Sequence, residues 1–128
     1  MKHPAFQTLE NYCRMLTDCG PPSEIANFFH LPAALIVGEQ KHLLAAESDV
    51  KAIYSRIKEK YRAEEVAKLS WDNSETSLFQ IYPYLVLIKT IVITERVDGV
   101  VAKRWTCSYL AREARGAWKF DVVTAIPN

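Results

Sequence analysis

The chain has 128 residues, 49% of them hydrophobic and 24% charged, the balance of one globular domain over 1–128 rather than of a disordered tail. Sixteen Lys and Arg against fifteen Asp and Glu leave a formal charge of +1, which argues against a nucleic-acid binder that works by neutralising phosphates. At this length about two-thirds of the unfolded chain's surface is buried on folding, enough for a core without staples.

The opening MKHPAFQTLENYC has no unbroken apolar stretch and reads as carrying no secretory signal. The most apolar run, Tyr84 to Thr94, is too short to cross a bilayer as a helix and has Lys89 in its middle. Cys13, Cys19 and Cys107 cannot all pair within one chain and match no zinc spacing, so they read as reduced thiols in a cytoplasmic protein. No membrane or nucleic-acid partner is expected.

Pro4 suits the first turn of a helix, where its missing N–H has no partner to lose. Ala5, Phe6, Leu9, Tyr12, Cys13 and Leu16 then recur at helical spacing, and His3 reads as a cap or a disordered end. Gly20-Pro21-Pro22 stops that helix. Ser23 is placed to cap a short second one carrying Ile25, Phe28 and Phe29, with His30 at its end. Ala33 to Val37 reads as a strand, turned at Gly38-Glu39 into a short partner at His42 to Ala46.

Ser48 is expected to cap the clearest helix of the chain. Its inner face is Val50, Ile53, Tyr54, Ile57 and Tyr61; its outer face carries Lys51, Arg56, Lys58, Glu59, Lys60 and Arg62. From Val66 on, the pattern is antiparallel sheet, with Ala67, Leu69 and Trp71 alternating against polar neighbours until a break at Asn73-Ser74. Long strands at 84–97 and 100–113 flank Asp98-Gly99, a signal for a two-residue type I′ turn, and Arg115-Gly116 leads into a last strand from Trp118. Trp71 and Trp118 read as core.

This ordered set resembles the nuclear-transport-factor-2-like (cystatin-like, cone-shaped) superfamily over residues 4–126. The resemblance is carried by FFHLPAALIV after a short helix, a capped amphipathic helix, a long strand, the DG turn, a second long strand, a Gly turn and WKF. It implies an α+β fold, three N-terminal helices packed in a curved, mainly antiparallel sheet, with an apolar pocket inside the cone. It also implies a homodimer through the outer sheet face. Members include ketosteroid isomerase, scytalone dehydratase, SnoaL-type polyketide cyclases and pure binding proteins, so fold leaves function open.

Compared with the isomerase pattern, Tyr12 falls at the first-helix tyrosine, while the base position falls near Val37 and the strand acid near Ser108. One of three groups is present, which disfavours that proton-transfer mechanism. The same comparison turns the Arg104, Thr106, Ser108 and Leu110 face towards the cone, where Arg104 would bind an anionic group. Trp105 and Tyr109 then face outward as a dimer interface; the opposite register, with both lining the pocket, is the alternative.

Asp121, between Phe120 and Val122, is a candidate polar group of the pocket or an exposed strand residue. Glu39-x-x-His42 looks like a metal motif only on a helix, and Gly38 breaks one there, so neither metal nor cofactor is expected. Cys107 as a nucleophile would need a neighbouring histidine or helix N-terminus. No phosphate loop, G-x-S-x-G elbow or H-E-x-x-H is present.

Two functions follow. The first is a small-molecule-binding protein holding an apolar or acidic metabolite, with SnoaL-like catalysis left open, and with Tyr12, Arg104, Ser108 and Asp121 as its ligand contacts. The second is a non-catalytic dimeric protein-interaction module.

Overall fold

A computed structural model describes residues 3–18 and 20–128; Cys19 lies outside the described residues. Helix α1 spans Pro4–Thr17 and buries Ala5, Leu9, Tyr12 and Cys13. His3 caps it, its Nδ1 accepting from the Ala5 amide at 3.1 Å. A short helix α2 (Pro22–Ile25) and a 3-10 turn (Ala26–Phe28) lead into β1 (Phe29–Val37) and β2 (Gln40–Leu44). Pro21, not Ser23, precedes the first turn of α2, which has no side-chain cap, and His30 stands on β1 rather than on a helix end.

Helix α3 (Glu47–Ala63) follows that hairpin, so the three helices are not all N-terminal to the sheet. Its start is fixed by Asp49 rather than Ser48. The Asp49 carboxylate accepts from the Ala45 and Ala46 amides at 3.0 and 3.1 Å, satisfying donors that no helical bond reaches. Val50 and Tyr54 are buried, with Ile53, Ile57 and Tyr61 half-buried beside them, as the stripe requires.

The rest is sheet: β3 (Val66–Trp71), β4 (Ser77–Tyr82), β5 (Leu85–Arg96), β6 (Val101–Ala114) and β7 (Ala117–Pro127). The seven strands run in the order β2-β1-β7-β6-β5-β3, with β4 beside the first half of β5. All pairs are antiparallel except β1 with β7. The break at Asn73-Ser74 is a 3-10 turn, fastened where the Ser74 amide donates to Asp72 at 2.9 Å.

The Asp98-Gly99 hairpin is not a type I′ turn, because only Gly99 has positive φ (84°). The Gly99 amide donates to the Arg96 carbonyl at 2.9 Å, and Glu95 pairs with Val101 across a bulge. The double left-handed turn is instead at Arg115 (φ 55°) and Gly116 (φ 78°), between the paired Ala114 and Ala117.

Bulges in four further strand pairs bend the sheet. Its inner face packs on α1 and α3 around Leu9, Tyr54, Phe120, Val86 and Ile88. No helix among the described residues is long and apolar enough to cross a membrane.

Candidate functional site

Side chains alternate across a strand, so β6 gives the inner face either its odd or its even positions. Cys107, Tyr109 and Ala111 are buried, while Arg104 and Thr106 are exposed, which sets the odd positions inward. The pairs Trp105–Val92, Cys107–Thr90 and Tyr109–Ile88 then share that face. Between it and α1 and α3 lies a cavity of about 110 Å³.

Its deep end is aromatic: Tyr12 from α1, Tyr54 from α3 and Tyr109 from β6, at 4%, 1% and 3% exposure. Leu35, Leu69, Val92, Val123 and Ile57 form apolar walls, and Val37 and Ala125 lie beside them. The mouth is half-open and polar, with Lys60, Glu64, Lys103, Tyr61 and Trp105.

The hydroxyls of Tyr12 and Tyr54 meet at 2.5 Å. Two phenols hold two hydrogens and this bond uses one, so one O–H hydrogen of the pair remains without a protein acceptor among the described residues. The Tyr12 ring is clamped edge-on by Phe28, Phe29, Tyr109 and Phe120, with centroids 5.4 to 6.1 Å away. Burial, reinforced by the neighbouring Tyr54 and Tyr109, pushes the Tyr12 hydroxyl well above the usual tyrosine range. The pair is therefore a neutral donor at any physiological pH.

The two thiols that line the cavity are equally passive. Burial raises Cys13 to about 12 and Cys107 to about 11, so neither is a thiolate at neutral pH. The only carboxylate on the lining is Glu64, exposed at the mouth, and no imidazole lines it. With Val37 where the isomerase pattern has its base, the interior offers hydrogen-bond donation and apolar contact but no general base at depth.

Of the sequence-derived contacts, Tyr12 lies in the cavity. Trp105 and Tyr109 also line it and are not on the outer face, the reverse of the register adopted from the Ser108 comparison. Packing forces this register, because the opposite one would bury Arg104 and expose Tyr109 and Cys107. Arg104 is exposed, and Ser108 donates to or accepts from Thr124 Oγ1 on the sheet's outer face.

Asp121 is the extra residue of the β6–β7 bulge and takes a two-point ion pair from Arg112, with Nε–Oδ2 2.8 Å and Nη2–Oδ1 3.1 Å, on the outer side. That pair holds the Arg112 guanidinium above its usual range. His30 Nε2 lies 3.0 Å from the Arg112 carbonyl, away from the cavity. No group of three or more His, Cys, Asp or Glu residues able to hold a metal occurs among the described residues.

Tyr54, Tyr61, Lys60, Lys103 and Glu64 were not singled out from the sequence as site residues. The available signal was Tyr54 and Tyr61 on one apolar stripe, since a buried tyrosine hydroxyl needs a partner that leucine does not.

The model of a family described as "NTF2-like protein (DUF6841)" matches residues 5–128. No curated protein is similar enough in sequence to count as a match. Among solved structures, a cystatin-fold protein from Nostoc punctiforme superimposes with a TM-score of 0.77 at 9% identity, covering 96% of this chain and 87% of that one. The yeast UBP3-associated protein BRE5 gives 0.75 at 17% identity, covering 96% and 92%. A Catenulispora acidiphila protein in complex with S-DNPA gives 0.73 at 14% identity, covering 94% and 88%. At these identities the likeness is one of fold.

Proposed function

The chain belongs to the NTF2-like family DUF6841, and we propose that it is a small-molecule-binding protein whose ligand occupies the cavity between the sheet and α1 and α3. The observation that carries this reading is the unused hydroxyl hydrogen of the Tyr12–Tyr54 pair at the deep end of an otherwise apolar cavity. A buried donor without an acceptor is costly, and a ligand carbonyl, carboxylate or ether oxygen would satisfy it. The similar fold from Catenulispora acidiphila, solved in complex with S-DNPA, supports the same use of the architecture.

The volume of about 110 Å³ sets the scale. An apolar cavity of roughly 150 Å³ accepts benzene, so the buried part of the ligand is one ring or a short branched chain. The free O–H hydrogen of the Tyr12–Tyr54 pair orients the bound oxygen, and the absence of a base at depth favours binding over SnoaL-like proton transfer. The test is titration with single-ring probes followed by calorimetry. Tyr12→Phe/Tyr54→Phe, which removes both hydroxyls, is expected to weaken a bound probe by about 0.5–1.5 kcal/mol. Unchanged affinity in that variant would overturn the role of the phenol pair, and exclusion of every single-ring probe would overturn the reading itself.

A second observation concerns the other side of the sheet. Residues paired across strands share a face, and one such row reads Leu43, Ala34, Val122, Leu110, Leu87 and Phe79 across six strands. Its two ends, Leu43 and Phe79, are each 67% exposed. An apolar band of this extent favours a protein partner. A second copy meeting it about a two-fold axis is the simplest cover, because the same row then supplies both halves of the contact. This proposed homodimer uses Leu87, Leu110 and Val122 in place of Trp105 and Tyr109. It leaves the cavity mouth, which is on the opposite face, open.

A further inference from the structure

We infer that the cavity selects an amphiphilic monocarboxylate, a single ring or short chain whose carboxylate is held at the mouth by Lys60 and Lys103; this rests on the ligand-binding reading above.

The polarity of the lining is divided by depth. Walls and deep end are apolar or aromatic, with an O–H hydrogen of the phenol pair free to donate. The charges are all at the rim: Lys60 on the last turn of α3, Glu64 at its C-cap, and Lys103 on β6. None of the ion pairs among the described residues uses Lys60 or Lys103. Glu64, one helical turn beyond Lys60, is within ion-pair distance of neither lysine. Lys103 Nζ instead stands 5.0 Å from the centre of the Trp105 ring, which holds its charge over the opening.

The rim therefore carries two unpaired cations against one carboxylate, and it attracts an anion rather than a cation. The aromatic face best suited to a cationic ligand is already covered by Lys103. An inorganic anion would leave the apolar interior empty. A dianion or polyphosphate would bring more charge than two flexible ammonium groups beside Glu64 can match. A single carboxylate on an apolar body fits both ends. The anion-binding part expected of Arg104 thus falls to residues on the other side of the sheet and on α3.

The experiment is calorimetric titration of the full chain with matched pairs: benzoate and benzamide, phenylacetate and phenylacetamide, hexanoate and hexanamide. At low salt each acid is expected to bind about tenfold more tightly than its amide. That gap should shrink as sodium chloride is added. It should close in Lys60→Gln/Lys103→Gln and persist in Lys51→Gln, which alters α3 away from the mouth. The single variants Lys60→Gln and Lys103→Gln, each closing part of the gap, keep the test valid should the double variant misfold.

Amides binding as tightly as acids, or a gap unchanged in the lysine variants, would overturn the carboxylate assignment while leaving the cavity a binding site. Failure of all six probes to bind would overturn the binding reading and this inference with it.

Discussion

Tyr12 and Tyr54 stand 42 residues apart in the chain and join hydroxyl to hydroxyl at 2.5 Å, tying α1 to α3 at the deep end of the cavity. Both rings are buried, so loss of either hydroxyl leaves the other in apolar surroundings with one partner fewer. Tyr12→Phe and Tyr54→Phe are each expected to cost about 1–2 kcal/mol, and the double variant less than the sum. Urea unfolding of the four proteins measures the cycle. Additive losses would mean that the two hydroxyls do not act as a pair.

Stability should fall on the alkaline side, beginning earlier than tyrosine ionisation would make it. The ordinary thiol value is 9.0, whereas burial raises Cys13 to about 12 and Cys107 to about 11. Above pH 9 the unfolded chain releases these protons while the folded chain keeps them, so the unfolded state gains and stability is lost as pH rises. Each such thiol removes about 1.4 kcal/mol per pH unit between its two values. The contribution is fully present below pH 9. Urea unfolding from pH 8 to 10.5 should show the decline, and Cys13→Ala should make it shallower. A flat profile over that range would contradict the burial of both thiols.

Local chemistry made most of the fold legible in the sequence. Pro4 and the Gly20-Pro21-Pro22 stop bound α1, the Val50–Tyr61 stripe gives α3, the β-branched run gives β5, and the Asp98-Gly99 turn returns the chain as β6. What failed were choices decided by a single residue between near-equal alternatives. Arg115-Gly116 took the double left-handed turn that Asp98-Gly99 was expected to take, because Ala114 and Ala117 pair directly while Glu95 pairs with Val101 across a bulge.

Strand β6 alternates so evenly between polar and aromatic residues that composition alone left its facing open. Likeness to the isomerase pattern points Ser108 inward, whereas packing points it outward. Burying Arg104 and exposing Tyr109 costs more than the reverse, and this sets the strand's facing. The mouth lysines could not be found in the same way, since Lys60 is one of several cations along α3 and only the fold sets it opposite Lys103.

The apolar row on the outer face leads to an expectation about size. At tens of micromolar, a usual range for a specific interface, the protein should sediment as a dimer of its 14.6 kDa chain. Leu110→Lys, at the centre of the row between Leu87 and Val122, should convert it to a monomer with its helical content retained. Trp105→Ala, on the cavity side, should leave the dimer intact. A wild-type monomer at these concentrations would refute the proposed interface.

Ala125 gives the most direct check on where the ligand sits. It lies on β7 with its side chain on the cavity lining, between Val123 and the mouth, and it is smaller than the Val37, Cys107 and Val123 beside it. Ala125→Leu adds three carbons to a space of about 110 Å³, close to the bulk that part of a ring would occupy. The added side chain fills a void that the native protein leaves open, so thermal stability should hold or rise slightly rather than fall. Binding of benzoate or phenylacetate should weaken by at least about tenfold, because the leucine and the ring compete for one volume. The outer-face variants Ser108→Ala and Asp121→Asn should leave that affinity unchanged, since neither side chain lines the cavity. Should Ala125→Leu bind the probes as well as the native protein does, while Asp121→Asn weakens them, the ligand would belong to the outer face of the sheet and the cavity assignment would be wrong.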